Sequence, residues 1–237
     1  MLNTGFGTNK SDAIRLLQTT INILEEFNIN HFLISGTLLG YIRHNDFIPW
    51  DDDIDLLVDE SLLDNLSDIS KKYPNINIFR KTDHKYDSIK FCFSDGIEIP
   101  ENKSVIDWKK NCISEDNRYC WPFIDLFVYE MGPGLHNCSN HFNEENINNI
   151  TIKVWEPFSG QCSECFRLFS ESEMSFFHND WQKSEFFPPK RVNLLGVDCN
   201  IPKNPDYFLN LNYGPNYMTE IKPPTIIHKI EEIIKND

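Results

Sequence analysis

Four aspartates set directly before a buried strand are the feature that most constrains this chain. They occupy positions 51, 52, 53 and 55 of the segment Ile48-Pro-Trp-Asp-Asp-Asp-Ile-Asp55, and the apolar residues 56–58 follow at once. A solvated acidic loop has no reason to continue into such an apolar run, whereas a core strand does. Because residues two apart in a strand point the same way, Asp53 and Asp55 are predicted to share one face while Ile54 enters the core.

Two carboxylates placed side by side repel each other, so a cation is expected between them. Hard oxygen ligands select Mg²⁺, Mn²⁺ or Ca²⁺ rather than a soft metal. The spacing of Asp51, Asp53 and Asp55 resembles the opening of an EF-hand calcium loop, but Leu56 and Leu62 stand where that loop needs Gly and a bidentate Glu. The EF-hand is therefore excluded, and a solvated acidic loop remains the alternative to a metal site.

A further aspartate lies in an apolar stretch far along the chain. Asp125 belongs to Trp121-Pro-Phe-Ile-Asp-Leu-Phe-Val-Tyr129, where alternation places it between Phe123 and Phe127 on one face of a strand. A carboxylate there must be paired, protonated or bound to metal, because burying it bare costs several kcal/mol. Asp125 is therefore a candidate third carboxylate of the site, with a buried salt bridge or an edge position as the alternatives.

A short Gly-containing turn precedes the acidic segment. His31-Phe-Leu-Ile-Ser35 reads as a buried strand, after which Gly36 releases the backbone into a helix that begins at Thr37. Backbone amides at the start of a helix attract phosphate oxygens. The position of this turn just before the carboxylate strand suits a nucleotide site, although a simple turn with an N-cap would have the same sequence.

The remaining periodicity predicts a mixed α/β (α+β) sheet covered by helices. Ser11 is the expected N-cap of the first helix, and Asp95-Gly96 is an expected turn. The predicted helices are Asp12–Phe27, Thr37–Arg43 and Ser61–Tyr73, and the predicted strands are His31–Ser35, Asp53–Val58, Asn75–Thr82, Tyr86–Ser94 and Trp121–Glu130. The whole chain, 1–237, is interpreted as one catalytic domain that ends in an amphipathic helix over about 225–235.

Residues 132–186 interrupt this pattern. They are rich in Asn, Cys, His and aromatic residues, so a helical or irregular insertion is predicted there. Candidate ligands for a structural Zn²⁺ within it are His136, Cys138, His141, Cys162, Cys165 and His178. The chain has one Cys-x-x-Cys pair and the other spacings are unremarkable, so unliganded thiols are the alternative.

Charge and composition exclude several functional classes. The formal net charge is −14, from 22 Lys and Arg against 36 Asp and Glu, and such a field disfavours binding to nucleic acid. A small phosphate-bearing ligand remains compatible, since a bound divalent cation inverts the local sign. No transmembrane segment or secretory signal is predicted from the sequence, so a cytoplasmic protein with mostly reduced thiols is expected.

Three blocks of this sequence resemble the LicD family, which includes the fukutin-related proteins. The first runs Ser35-Gly-Thr-Leu-Leu-Gly-Tyr-Ile-Arg-His-Asn-Asp-Phe-Ile-Pro-Trp-Asp-Asp-Asp-Ile-Asp-Leu56, and the second is Trp121-Pro-Phe-Ile-Asp-Leu-Phe127. The third begins at Phe187-Pro-Pro-Lys-Arg-Val, passes through Ile201-Pro-Lys-Asn-Pro-Asp-Tyr-Phe-Leu and ends at Tyr213-Gly214. The similarity extends from about residue 12 to residue 218 and is weakest across 132–186.

This resemblance implies a nucleotidyltransferase-like fold and a Mg²⁺- or Mn²⁺-dependent phosphotransferase. The family transfers a phosphorylated small alcohol, phosphocholine or an alditol phosphate, from a CDP-linked donor to a glycan acceptor. Asp53 and Asp55 would be metal ligands with Asp51 as a nearby acidic partner. Asp125 would be either another ligand or the base that accepts the acceptor's hydroxyl proton.

The resemblance also implies residues that bind the donor. Ser35, Gly36 and Thr37 would contact its diphosphate. Arg43 either contacts phosphate or caps its helix. Lys190 and Arg191 lie in the third matched block, and their alternative is ordinary surface charge.

Two other functions remain open at this point. One is a nucleotidyltransferase that moves NMP from an NTP. The other is a catalytically inactive carbohydrate-binding module of the same fold, although such a module has no physical need for three mutually repelling carboxylates.

Overall fold

The computed structural model describes residues 5–82, 87–130 and 181–220, together with the backbone of five short strands between 134 and 168. Its helices are α1 (Lys10–Glu26), α2 (Ser35–His44), α3 (Ser61–Lys72), α4 (Lys103–Lys109), α5 (Lys183–Phe186) and α6 (Pro205–Tyr213). The strands that build the core are β1 (His31–Leu33), β2 (Ile54–Asp59), β3 (Ile76–Thr82), β4 (Asp87–Glu98) and β5 (Cys120–Glu130). The later strands are β6 (Gly134–Leu135), β7 (Phe142–Ile147), β8 (Ile150–Trp155), β9 (Gln161–Cys162), β10 (Cys165–Leu168), β11 (Trp181–Gln182), β12 (Lys190–Leu194) and β13 (Val197–Ile201).

A parallel pair of strands, β2 and β5, forms the centre of the main sheet. Their register places Ile54 beside Ile124 and Asp55 beside Asp125. β1 pairs antiparallel with β2, β4 pairs antiparallel with β5, and β3 pairs antiparallel with β4. β10 pairs with the last two residues of β5, and β11 pairs with β10. This mixed sheet with helices confirms the predicted α+β class.

Helix α1 forms where apolar residues recur at helical spacing and so make one apolar face. Its buried positions include Leu17, Ile21 and Leu24, which pack over β4 and β5. The predicted N-cap, Ser11, is wrong, because the helix already begins at Lys10 after a 3-10 turn. Upstream packing explains the earlier start, since the Phe6 ring lies 4.9 Å from the centroid of another core ring at Phe47.

The junction between β1 and α2 differs from its prediction in detail. β1 ends at Leu33 rather than Ser35, and α2 begins at Ser35 rather than Thr37. The residue with left-handed backbone is Ser35, at a φ of 48°, and not Gly36. A non-glycine residue held in this conformation costs about 1–3 kcal/mol, and such strain concentrates at functional sites.

Strand β4 is longer than predicted, because the expected turn at Asp95-Gly96 does not occur. The strand continues to Glu98, with a register shift against β5 between Cys92 and Ile97. A Cβ atom on Gly96 would lie 3.0 Å from the Cβ of Cys120 on β5. The close approach of two strands therefore favours glycine here, and an Asp-Gly pair in a strand has the same sequence as an Asp-Gly turn.

Three further elements complete the fold around the site. The hairpin β12–β13 packs on β1 and α1, and α6 packs on α2. Helix α6 begins with Pro205, the residue best suited to a first helical position. Helix α4 is capped by Asn102, whose side chain accepts a hydrogen bond from the N–H of Val105 at 3.0 Å.

The predicted insertion over 132–186 is only partly described. Its described backbone is β-strand from β6 to β11, where helical or irregular structure was expected, and it is helical in α5. β10 belongs to the main sheet through its pairing with β5. The side chains of the six candidate zinc ligands and the predicted helix over 225–235 lie outside the described residues.

No helix within the described part of the chain combines the length and the apolar composition that crossing a membrane requires.

Protonation of His31 on β1 is expected to lower the stability of the fold. Its Nδ1 lies 3.3 Å from the carbonyl oxygen of Ile29, so Nδ1 carries the proton, and Nε2 has no partner among the described residues. Burial lowers the pKa of His31 from 6.5 despite the raising effects of Ile29, Glu25 and Asp59, and Arg191 lowers it further. Because the unfolded chain binds the proton first, stability is lost as pH falls below 6.5.

Urea unfolding at several pH values tests this expectation. The free energy of unfolding of the wild type should fall relative to that of His31→Asn between pH 7.5 and pH 5.5. Asn can keep the hydrogen bond to Ile29 but cannot take up a proton, so it serves as the matched comparison. Parallel pH profiles for the two proteins would show that His31 does not titrate in this way.

Candidate metal centre

Three predicted carboxylates meet on one face of the β2–β5 pair. Asp53, Asp55 and Asp125 each offer an oxygen atom, and these atoms all lie within 4.8 Å of one another. Asp53 directly precedes β2, and the parallel register sets Asp55 beside Asp125. The apolar partners, such as Ile54 and Leu56, are fully buried, as the alternation predicted.

The electrostatics of this cluster favour a bound cation. Burial, followed by the charges of Asp53 and Asp125, raises the pKa of Asp55 well above its usual 3.8. Burial also raises the pKa of Asp125, against the lowering effect of Lys90. Carboxylates that are both desolvated and mutually repelling are stabilised as anions by an ion coordinated between them. The residues present therefore fit a hard divalent cation.

Asp51 forms a second group with Asp52 and Asp53, whose ligand atoms also lie within 4.8 Å of one another. Burial, and then the charges of Asp53 and Asp52, raise the pKa of Asp51 to about 8. The Asp51 carboxylate occupies the space where a Cβ atom on Gly36 would lie. Asp51 thus joins the acidic cluster to the start of α2, as expected of a neighbouring acidic partner.

The beginning of α2 is tied to strand β2. The hydroxyl of Thr37 is buried and accepts a hydrogen bond from the backbone N–H of Asp55 at 2.9 Å. The first amide bonded back within this region is that of Leu38, which donates to the Ile34 carbonyl at 2.9 Å. The amides of residues 35–37 therefore precede the hydrogen bonds of the helix itself, as in helix ends that bind anions.

The corner between α2 and β2 is held by polar contacts at both ends. Asp46 accepts hydrogen bonds at 2.6 Å from the backbone N–H of Phe47 and from the Lys10 ammonium. Farther along, the indole N–H of Trp121 donates to the Asp52 carbonyl at 2.7 Å. These contacts explain how an acidic segment of high charge density keeps one conformation.

None of the predicted cationic residues forms an ion pair with the clustered aspartates in the part of the chain that the structure describes. Arg43 donates to Nε2 of His44 at 3.0 Å and to the Tyr217 carbonyl at 3.4 Å, so it joins α2 to the residues after α6. Lys190 is exposed at the start of β12 and makes no ion pair with any described residue. Its neighbour Arg191 pairs at 2.5 Å with Glu25 of α1. This pair lies near His31, at the end of β1 that is away from the clustered aspartates.

Three residues that border the cluster were not predicted from the sequence. Lys90 on β4 forms an ion pair with Asp125, so the salt-bridge alternative for Asp125 is realised within the cluster. Tyr119 and Tyr213 lie near the aspartates. Burial raises the pKa of Tyr119, and Asp125 adds to this effect. Tyr213 is 45% exposed, and partial desolvation of its hydroxyl, together with Asp55, raises its pKa. A lysine inside the apolar strand pattern of residues 88–93 was the available signal.

Two glycines of α2 are expected to respond differently to Ala substitution. A Cβ atom at Gly40 would lie 2.6 Å from the Asp46 carbonyl oxygen and 3.0 Å from the Ile48 nitrogen, both backbone atoms. A Cβ atom at Gly36 would meet only the side chain of Asp51, which can rotate. Gly40→Ala should therefore destabilise the protein by about 1–3 kcal/mol, the usual range for overpacking, and Gly36→Ala should cost less.

Thermal unfolding and Mn²⁺ titration of both variants would test this difference. Gly36→Ala should fold normally but bind Mn²⁺ more weakly, because Asp51 is pushed from its place beside Asp53. Equal losses of stability in the two variants would contradict the packing described for α2.

The sequence of this chain is similar to that of a family of known proteins. A family model described as LicD/FKTN/FKRP, nucleotidyltransferase domain, matches residues 28–168. The lipopolysaccharide cholinephosphotransferase LicD of Haemophilus influenzae is 28% identical over 111 residues, which cover 47% of this chain and 39% of that protein. An uncharacterized protein of Rickettsia prowazekii is 45% identical over 50 residues, covering 21% of this chain and 19% of that protein.

The chain thus spans about two fifths or less of the length of these curated relatives. The matched range contains α2, β2 and β5, and with them all three clustered aspartates. Because the family model covers more than half of the chain, the chain belongs to the LicD/FKTN/FKRP family and contains its nucleotidyltransferase domain.

Proposed function

We propose that this protein is a Mg²⁺-dependent phosphotransferase that moves a phosphorylated small alcohol from a CDP-linked donor to a glycan acceptor. The observation that carries the proposal is the convergence of Asp53, Asp55 and Asp125 from two parallel strands inside the family's nucleotidyltransferase domain. Oxygen ligands at this spacing suit Mg²⁺ or Mn²⁺. The relative named a cholinephosphotransferase supports phosphocholine as one candidate group, and an alditol phosphate is the other.

The proposed reaction is a displacement at the donor phosphorus that bears the alcohol. An acceptor hydroxyl oxygen forms a new bond to this phosphorus, while the phosphorus–oxygen bond to CMP breaks and CMP leaves with the bonding electrons. Asp53 and Asp55 would hold a divalent cation, whose positive charge would offset the charge that develops during transfer. The amides of residues 35–37, which precede the hydrogen bonds of α2, would bind the diphosphate.

The acceptor's hydroxyl proton also needs a destination. Asp125 is suited to accept it, because burial raises the pKa of this carboxyl and so makes it a stronger base than an ordinary aspartate. An oxygen of Asp125 also lies within 4.8 Å of oxygens of Asp53 and Asp55, close enough for all three to bind one ion. The base and third-ligand roles for Asp125 therefore both remain within the proposal.

Release of CMP is the direct test of this function. The purified protein is incubated with Mg²⁺, a glycan pool and either CDP-choline or CDP-ribitol, and CMP is measured by chromatography. We expect CMP release with at least one donor, dependence on added acceptor, and loss of release with EDTA. A protein that binds Mg²⁺ but releases no CMP from either donor would argue against the proposal.

A nucleotidyltransferase is the second candidate, favoured by the description of the matching domain. Such an enzyme would transfer NMP from an NTP and release pyrophosphate instead of CMP. Pyrophosphate is therefore measured in parallel with each NTP and the same acceptors. Pyrophosphate release without CMP release from CDP donors would select this alternative.

A further inference from the structure

Lys90 is a buried cation inside the acidic cluster. It lies on β4 directly opposite Asp125 on β5, and its Nζ forms an ion pair with the Asp125 Oδ1. Only 11% of the Lys90 side chain and 15% of the Asp125 side chain are exposed. The pair is therefore largely removed from solvent, where its geometry is better defined than that of a surface pair.

Aromatic rings limit where the Lys90 ammonium can move. Its Nζ lies 3.9 Å from the ring centroid of Phe123 and 5.3 Å from that of Trp108. Both distances allow cation–π attraction. The ring of Trp108 in turn stacks on that of Tyr119 at a centroid distance of 6.2 Å. The ammonium is thus held between two rings and one carboxylate oxygen.

Stability alone does not account for this charged pair. Its cross-strand neighbours are the apolar pairs Ile89 with Leu126 and Phe91 with Ile124. A buried ion pair loses hydration that apolar side chains of similar volume do not lose, so an apolar pair would hold these strands at least as well. A role that needs an oriented carboxylate explains why charge is placed here.

We infer that Lys90 is a positioning residue, which holds one oxygen of Asp125 and thereby fixes the orientation in which this carboxylate faces Asp53 and Asp55. The inference rests on the proposed metal-dependent function. Lys90 acts through Asp125, since rings and carboxylate enclose its ammonium. Hydrogen-bond partners of metal-binding groups commonly contribute about 10- to 100-fold to metal affinity or activity.

The sign of the effect on metal binding separates positioning from simple charge balance. A cation that merely offset the cluster's negative charge would repel a divalent ion, and its removal would strengthen binding. A cation that orients a ligand has the opposite effect, because its removal lets the carboxylate turn away. Loss of Lys90 should therefore weaken divalent binding although the cluster becomes more negative.

The main test measures Mn²⁺ binding by electron paramagnetic resonance. It compares the wild type with Lys90→Met and Lys109→Met. Met keeps an unbranched side chain and removes the charge. Lys109 is the matched control, because it is similarly shielded, at 15% exposure, but pairs with Glu98 at 2.9 Å and Glu101 at 3.3 Å. We expect affinity to fall at least tenfold in Lys90→Met only, with partial recovery in Lys90→Arg.

A double-mutant cycle with Asp125→Asn examines the route of the effect, and if Lys90→Met is unstable the same cycle is run with Lys90→Arg, which keeps the charge. In the Asp125→Asn background, Lys90→Met should cause no further loss of Mn²⁺ affinity, since the residue through which it acts is gone. In turnover assays, Lys90→Met should lower kcat while the donor KM changes by less than about threefold, as expected when an interaction matters mainly in the transition state.

Each outcome bears on a different claim. Mn²⁺ affinity in Lys90→Met equal to or above that of the wild type overturns the positioning role, as do independent losses in the double-mutant cycle. Wild type that binds Mn²⁺ but transfers no group overturns the proposed function and leaves the Lys90 result standing. Wild type that binds no Mn²⁺ overturns both.

Discussion

Replacing Asp53 by Asn is expected to abolish CMP release from the CDP-linked donor. Asp53 belongs to both carboxylate groups, the one with Asp55 and Asp125 and the one with Asp51 and Asp52, so its loss disrupts both. A bound metal contributes several kcal/mol to charge stabilisation in a transition state, and about 4 kcal/mol corresponds to about a thousandfold in rate. We therefore expect a decrease of about three orders of magnitude in kcat/KM.

The decrease should come from chemistry and metal binding rather than from unfolding. Asn is close to Asp in shape, so far-UV circular dichroism and Tm should stay near the wild-type values. Asp68→Asn is the matched control, because Asp68 is exposed on α3 and pairs only with Lys71 among the described residues. CMP release that is equal in Asp53→Asn and the wild type would remove the metal centre from the mechanism.

Asp55→Asn is expected to stabilise the metal-free protein and to eliminate its response to Mg²⁺. The wild type without metal holds Asp55 beside Asp53 and Asp125 in a desolvated site, and this repulsion disappears when one charge is removed. For a chain of this size, about 1 kcal/mol of relief raises Tm by 2–4 °C. The gain in stability should accompany a loss of function, as is common at active sites.

Saturating Mg²⁺ should reverse the order of the two proteins. Ligand at 100 times its Kd stabilises a folded protein by about 2.7 kcal/mol, so the wild type should gain roughly 5–10 °C in Tm. Asp55→Asn should gain almost nothing. Differential scanning fluorimetry with EDTA and with a Mg²⁺ series measures both effects, and a wild-type Tm that is independent of Mg²⁺ would contradict the assignment.

The core of the fold could be predicted from the sequence because local pattern and burial agree there. The alternation of residues 121–130 predicted β5, and helical spacing predicted α1 and α3. Predictions failed where long-range contacts decided the backbone. Gly96 resembled a turn residue, but the close passage of β5 determines its role. Ser11 resembled an N-cap, but packing of Phe6 extends the structure upstream of it.

The candidate site was predictable to a similar degree. Strand periodicity identified Asp53, Asp55 and Asp125, but not that two parallel strands would place the last two in register. Thr37 was predicted as a phosphate contact, and its hydrogen bond to Asp55 could not be foreseen without the fold. Lys90 escaped notice because its significance depends on which strand pairs with β4.

The parallel register of β2 and β5 has a consequence for folding. A slip of two residues would preserve which side chains face the core, so apolar burial alone discriminates weakly against it. A slip that sets Leu57 beside Asp125 would move Asp55 away from Asp125 by about 6.6 Å along the strand and relieve their repulsion. We therefore expect the divalent ion to favour the native strand register, because it stabilises only the arrangement in which both carboxylates reach it.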